Sequence, residues 1–195
     1  MPLNVKNFKE IIKLFNQFIN KSTMHEPVFT ITSLELLSDS KRDQLMMCPS
    51  IPHFYVSIEG WSFNLHINAA IYTIEIGLEL EDQVILFYIE RRYSSLYKFH
   101  RDLINDMPDI QCLKLFPPKK VFGNRDVNFI RQRLYHLQKY FSKISSLRNI
   151  SKKEAFRQYF NFEKLKSIWC QKELEYQNNV LMANYINASI PFNSF

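Results

Sequence analysis

Apolar and polar side chains alternate between residues 53 and 92, and on either side of that stretch apolar residues recur every three or four positions. Alternation with period two is the signature of a half-buried strand, and the longer period that of an amphipathic helix. Three strands are predicted. The first, HFYVSI, puts Phe54, Val56 and Ile58 on one face. The second, IYTIEIGLEL, sets Tyr72, Ile74, Ile76, Leu78 and Leu80 against Thr73, Glu75 and Glu79. The third, VILFYIERRY, follows after a short Glu81-Asp82-Gln83 turn, so the last two read as a hairpin. The acidic residues fall on the positions expected to be exposed.

The period changes at Ser94. Leu96, Phe99 and Leu103 suit a helix capped by Ser94 or Ser95 and ended by Met107-Pro108. Pro117-Pro118 and Gly123 make part of 109–123 an irregular loop. A long helix starting near Asn124 or Asp126 carries Ile130, Leu134, Leu137, Phe141 and Ile144, and shorter helices are predicted over 151–160 and 163–177. The tail 178–195 reads as poorly ordered. Near the N-terminus, residues 5–20 place Phe8, Ile11, Ile12, Phe15, Phe18 and Ile19 on one helical face, with Lys6, Lys9 and Lys13 on the polar side. Residues 21–50 are mixed, and the break at Pro49 and Pro52 marks a candidate domain boundary. Strands followed by helices indicate an α+β fold.

Composition excludes several classes of function. With three glycines among 195 residues there is no GxGxxG and no P-loop, and HExxH and GxSxG are also missing. The five histidines show no metal spacing, and Cys48, Cys112 and Cys170 are too far apart for a zinc site or a disulfide framework. No enzyme, metal or cofactor is implied. No stretch approaches the roughly 20 apolar residues of a membrane span, and the N-terminus shows no signal core, so a soluble, cytosolic chain is expected.

Charge changes the picture further. Residues 51–90 carry six acidic and no basic side chains, whereas residues 91–150 carry thirteen basic and four acidic. Such a basic block calls for an anionic partner. Its aromatics fall at core spacing rather than on an exposed sheet face, which argues against nucleic acid.

Three segments in order, RRYSSLYKF at 91–99, FPPKKVFGN at 116–124 and FIRQRLYHLQKYF at 129–141, resemble the phox-homology (PX) domain of sorting nexins. The resemblance spans about residues 51–162. That leaves 1–50 as an N-terminal extension with an amphipathic helix, and 163–195 as a C-terminal helix and tail. It implies a three-stranded antiparallel sheet packed against a helical subdomain, with a basic pocket between them. It also implies roles. Arg92 would contact the 3-phosphate of an inositol ring and Tyr93 would pack on the ring. Lys119 would meet the 1-phosphate, with Lys120 as an alternative because the register within PPKK is open. Arg133, in the pattern with Leu137 and Tyr140, would bond the 4- and 5-hydroxyls. Arg91 is an additional candidate. Val121 and Phe122 would insert into the bilayer.

Each residue alone has a plainer reading: Arg92 pairing with Glu90, Tyr93 as a sheet-edge aromatic, Arg133 lying along its helix, the lysines as solvated loop charges. Physical chemistry supports the joint one. A phosphomonoester carries about −1.5 to −2 charges, and arginine's planar fork meets two of its oxygens at once. The expected function is a reader of phosphatidylinositol 3-phosphate, peripheral on the cytosolic face of endosomal or vacuolar membranes, in a small adaptor. The alternative is a PX-fold protein-interaction module, with a partner or a second copy engaging residues 5–20 or 163–177.

Overall fold

The computed structural model describes residues 29–120 and 126–189. The predicted 5–20 helix, Val121, Phe122 and the Asn124 cap lie outside the described residues. The sheet has four strands where three were predicted: β1 (Phe29–Ser33), β2 (Phe54–Asn64), β3 (Ala69–Leu80) and β4 (Gln83–Arg92), in the order β1-β4-β3-β2 and all antiparallel. The extra strand, FTITS, pairs Phe29 to Phe87 and Ser33 to Gln83, so residues before the Pro49–Pro52 break belong to the same sheet. The predicted hairpin is present, with Leu80 opposite Gln83. Glu81 takes φ 53° in its two-residue turn, as a tight hairpin requires.

Among the described residues there are five α-helices: α1 (Asp39–Met46), α2 (Tyr93–Asp106), α3 (Val127–Ser145), α4 (Glu154–Phe160) and α5 (Phe162–Ser189). The serine caps expected for α2 are not used. Arg92 holds the cap position, Ser94 accepts from the Arg92 guanidinium at 3.3 Å, and Ser95 donates to Tyr159. Asp126 caps α3, its carboxylate accepting from the Phe129 amide at 2.7 Å. Asp106 does the same for α4 by accepting from the Ala155 amide at 2.9 Å. Asn161, left-handed at φ 50°, closes α4 and lets α5 begin at once.

One face of the sheet carries the main core. Phe54, Val56, Ile58, Ile74, Ile76 and Phe87 pack there against Phe99 of α2, Phe141 of α3, and Phe156 and Phe160 of α4. The rings of Phe99 and Tyr159 stack at 4.5 Å. Helix α3 also covers part of the β2 edge of the sheet: Ser145 accepts from the Val56 amide at 3.1 Å, and Gln138 donates to the Ile58 carbonyl at 3.0 Å. Two backbone groups that would otherwise invite another strand are thereby satisfied.

The other face corrects the sequence reading. Glu75, expected on an exposed position, is only 4% exposed. Helix α1 folds over it, and Leu37, Leu45, Tyr55, Val84 and Leu86 make a second, smaller core. Within that core the Glu75 carboxylate accepts from Lys41 at 2.6 Å and from the Tyr55 hydroxyl at 2.5 Å. Gly77 is required beside them, because a Cβ there would fall inside contact distance of the Tyr55 ring carbons.

The C-terminal helix is longer than predicted, since residues 178–189 continue α5 rather than forming a poorly ordered tail. Its 28 residues span about 42 Å. Leu165 is buried, and Trp169 donates to the Glu79 carbonyl at 2.6 Å, which fixes the first turns to β3. Farther along, Leu174 and Leu181 are exposed.

Candidate functional site

At the end of the sheet where β2 turns into β3, a cavity of about 230 Å³ opens between that turn, the β4–α2 junction, the proline loop and α3. Arg92, Tyr93, Lys119, Lys120 and Arg133 all line it, although 40 residues separate the first from the last. Of the pocket residues expected from the sequence, only Arg91 is absent. Neighbours on a strand point to opposite faces, and its guanidinium lies 5.8 Å from the Tyr159 ring centroid, away from the cavity.

Arg92 is the last residue of β4 and Tyr93 the first of α2, so each sits on a regular element rather than a mobile loop. Tyr93 is the joint of the site. Its hydroxyl donates to the Pro117 carbonyl at 2.7 Å, and its ring stacks on Phe116 at 5.8 Å. That bond ties the proline loop to the start of α2 and carries Lys119 and Lys120 to the cavity wall. Both lysines line it, with the Lys120 ammonium 4.3 Å from the Phe129 ring centroid.

Arg133 differs from the other cations in being buried, at 5% exposure. Its guanidinium lies 3.7 Å from the Tyr93 ring centroid and 4.3 Å from that of Phe129, one helical turn earlier. The Tyr93 ring therefore supports Arg133. Stacking on aromatic faces offsets part of the cost of burying a cation. No anion offsets the rest: among the described residues no carboxylate lies within ion-pair distance of Arg92, Lys119, Lys120 or Arg133. Arg133 Nε and the Tyr72 hydroxyl are both buried and close enough to interact, but neither makes a hydrogen bond of good geometry. Burial pushes the Tyr72 phenol up, and Arg133 works against that shift. Burial likewise takes Tyr93 up to about 12 despite the cation beside it, so both phenols stay neutral donors at physiological pH.

The sign of the lining separates this cavity from the one between α2 and α4. A larger one, about 440 Å³ between α2 and α4, is walled by Asp102, Asp106 and Glu154 with Lys98. Three carboxylates would repel a phosphate, whereas the cavity at Arg133 has four cations and no acid. Sequence reasoning missed Ser94 as a lining residue and the wall formed by Phe63 and residues 67–70. The i, i+4 spacing of Phe129 and Arg133 was legible in the sequence, and the two side chains do meet. The turn wall carried no such signal.

Residues 82–163 match the family model for the PX domain. They take in β4, the proline loop and helices α2 to α4, which bring Arg92, Tyr93, Lys119 and Arg133 together. Residues 82–163 are thus assigned to the PX domain. PX domains are phosphoinositide-binding, membrane-targeting modules. Similar curated proteins are kinesin-like protein KIF16B of Homo sapiens, 29% identical over 139 residues, and that of Mus musculus, 26% identical over 146. These alignments take in 71% and 75% of this chain but 10% of each relative, so the chain spans about a tenth of their length. Among solved structures, a designed CISK-PX domain superposes with a TM-score of 0.43 at 22% identity, covering 53% of this chain and 95% of that one. No described helix is long and apolar enough to cross a membrane.

Proposed function

We propose that this PX domain reads phosphatidylinositol 3-phosphate and brings its chain to membranes that display it, on the cytosolic face of endosomal or vacuolar compartments. The observation that carries the reading is Arg133, a buried cation without a counter-ion in a cavity lined by three further cations and no acid. A site that holds positive charge out of water and leaves it unbalanced is built for an anion. Arg92, at the cavity rim, takes the 3-phosphate through its fork, and a lysine of the 119–120 pair takes the phosphodiester as a point charge. Arg133 bonds the ring hydroxyls, and its close approach leaves no room for phosphates at those positions. Val121 and Phe122, next in sequence to the lysines, add apolar contact with the bilayer.

Projecting α5, with Leu174 and Leu181 exposed, favours a protein contact in addition to the lipid, by a partner or a second copy. The amphipathic 5–20 segment is the other candidate for such a contact.

Co-sedimentation with vesicles across the phosphoinositide series, with the unaltered chain beside Arg92→Ala, tests the reading. Selective retention on phosphatidylinositol 3-phosphate, reduced at least about tenfold in the variant, is expected. Retention in proportion to lipid charge would mean a basic surface without a reading pocket.

A further inference from the structure

Lys119 and Lys120 reach the cavity wall from a loop, so their place depends on what holds Phe116 and Pro117. Phe116, next before the two prolines, is buried among aromatic rings. Tyr93 stacks on it at 5.8 Å, Tyr140 meets it edge-on at 4.9 Å, and Tyr97 lies at 6.2 Å. Shorter than any of these is the contact with His100, two turns along α2 from Tyr93. The imidazole lies parallel to the Phe116 ring within 8°, with centroids 4.2 Å apart. Its Nδ1 shares a hydrogen bond with the Tyr140 hydroxyl at 3.1 Å, which ties the ring to α3 and fixes its plane.

We propose that His100 is a positioning residue for the head-group site, holding Phe116, and through Phe116 and Tyr93 the lysine-bearing loop, at the cavity wall. This rests on the phosphoinositide reading above. His100 does not line the cavity, so its effect on a ligand passes through the stack. The path is short. Phe116 meets both His100 and Tyr93, and Tyr93 bonds Pro117 and faces the Arg133 guanidinium at 3.7 Å. An imidazole gives a flat face to Phe116 and a nitrogen to Tyr140, which no aliphatic side chain does. The groups facing it are Tyr97 from its own helix, Phe116 from the loop side and Tyr140 from α3. Beyond Tyr140 come the Cys112 thiol and the Lys143 ammonium that acts on that thiol. Burial holds His100 below its ordinary 6.5, and no carboxylate opposes it. The neutral, stacked ring is therefore the form present above that ordinary value, and it gives way as pH falls through the lowered one.

The test titrates soluble dibutanoyl phosphatidylinositol 3-phosphate into the full chain at about pH 7.5 and about pH 5.5. The chain is used unaltered and as His100→Ala and His100→Phe, with the melting temperature of each. At the higher pH, folded His100→Ala should bind about tenfold more weakly than the unaltered chain. His100→Phe keeps a ring on Phe116 and should bind within about threefold of the unaltered chain. Acid also protonates the lipid phosphomonoester, and it does so for all three chains alike. The unaltered chain should nevertheless lose about threefold more affinity on acidification than His100→Phe does, because only there can position 100 take a proton. Should His100→Ala not fold, this pH comparison decides alone. Unimpaired binding by folded His100→Ala, or the same pH loss in His100→Phe and the unaltered chain, would overturn the inference and leave the pocket reading intact. Failure of the unaltered chain to bind the soluble lipid at either pH would overturn the pocket reading, and this inference with it.

Discussion

Each face of the sheet draws a cation partly or wholly out of water, and the two are treated differently. Lys41, on the α1 side, is met by carboxylates: Glu75 at 2.6 Å and Glu59 at 3.0 Å. Burial alone would lower its titration, but those two partners outweigh burial and raise it. Glu75 mirrors it. Burial pushes that carboxyl up, and hydrogen bonds from Lys41, Tyr55 and Tyr88 bring it below its ordinary value. Arg133, on the helical side, has aromatic rings where Lys41 has acids. The first arrangement is electrically closed and holds α1 to the sheet. The second is open and waits for an anion. Burial of a charge is thus common to both regions, and the presence of a counter-ion tells structure from binding.

The difference can be broken from either end. The largest expected effect on binding comes from Arg133→Met, which removes the open cation and should weaken phosphoinositide affinity at least about a hundredfold, roughly 2.7 kcal/mol. The fold should not suffer, because replacing an unpaired buried cation by an apolar side chain of similar length is neutral or stabilising. Lys41→Met is the reverse case. It leaves Glu75 buried without its ammonium and should cost about 3 kcal/mol of unfolding free energy, read by denaturant titration, with lipid affinity unchanged. Gly77→Ala drives a methyl into the Tyr55 ring of the closed site and should cost roughly 2 kcal/mol, read by the same titration. Tyr93→Phe should have the smallest effect, about 1 kcal/mol, through loss of the bond to Pro117. A few-fold drop in affinity should accompany it as the lysines lose their anchor.

Acid sharpens the same contrast. A carboxyl whose folded value is depressed contributes stability above its unfolded value, and that contribution is lost as pH falls through the folded value. Glu75 therefore supports the fold above the ordinary carboxylate range and ceases to do so below it. Lys41, whose value is raised, supports the fold below its ordinary 10.5 and fails as pH rises past the folded value. In Lys41→Met the Glu75 carboxyl loses its strongest partner and shifts upward, so the acid-side fall in stability should begin at higher pH. Melting curves across acidic buffers would show it, and an unmoved acid limb would mean that Lys41 does not hold Glu75.

The open site was more legible in the sequence than the closed one. Arg92, Lys119 and Arg133 sit within short motifs whose spacing survives folding, and Arg133 lies four residues from both Phe129 and Leu137 on its helix. The Glu75 site depends on segments that carry little local signal. Helix α1, DSKRDQLM, buries only Leu45 and shows no apolar stripe. The alternation of β3 reads Glu75 as exposed unless one knows that α1 returns over it. Strand β1 escaped for a related reason: its five residues are mostly exposed, and its place depends on pairing with β4, about fifty residues away. The end of α5 was misread because residues 176–189 hold no charge and several asparagines, a weak helical composition.

The central claim is that Arg133 is a cation held open for a phosphoinositide. Calorimetric titration of soluble dibutanoyl phosphatidylinositol 3-phosphate into the unaltered chain and into Arg133→Met, each with its melting temperature, tests it most directly. The account predicts saturable binding by the first, loss of at least about a hundredfold in the second, and a melting temperature in the variant equal to or above that of the unaltered chain. Unimpaired binding by a folded Arg133→Met, or a large fall in its melting temperature, would contradict it.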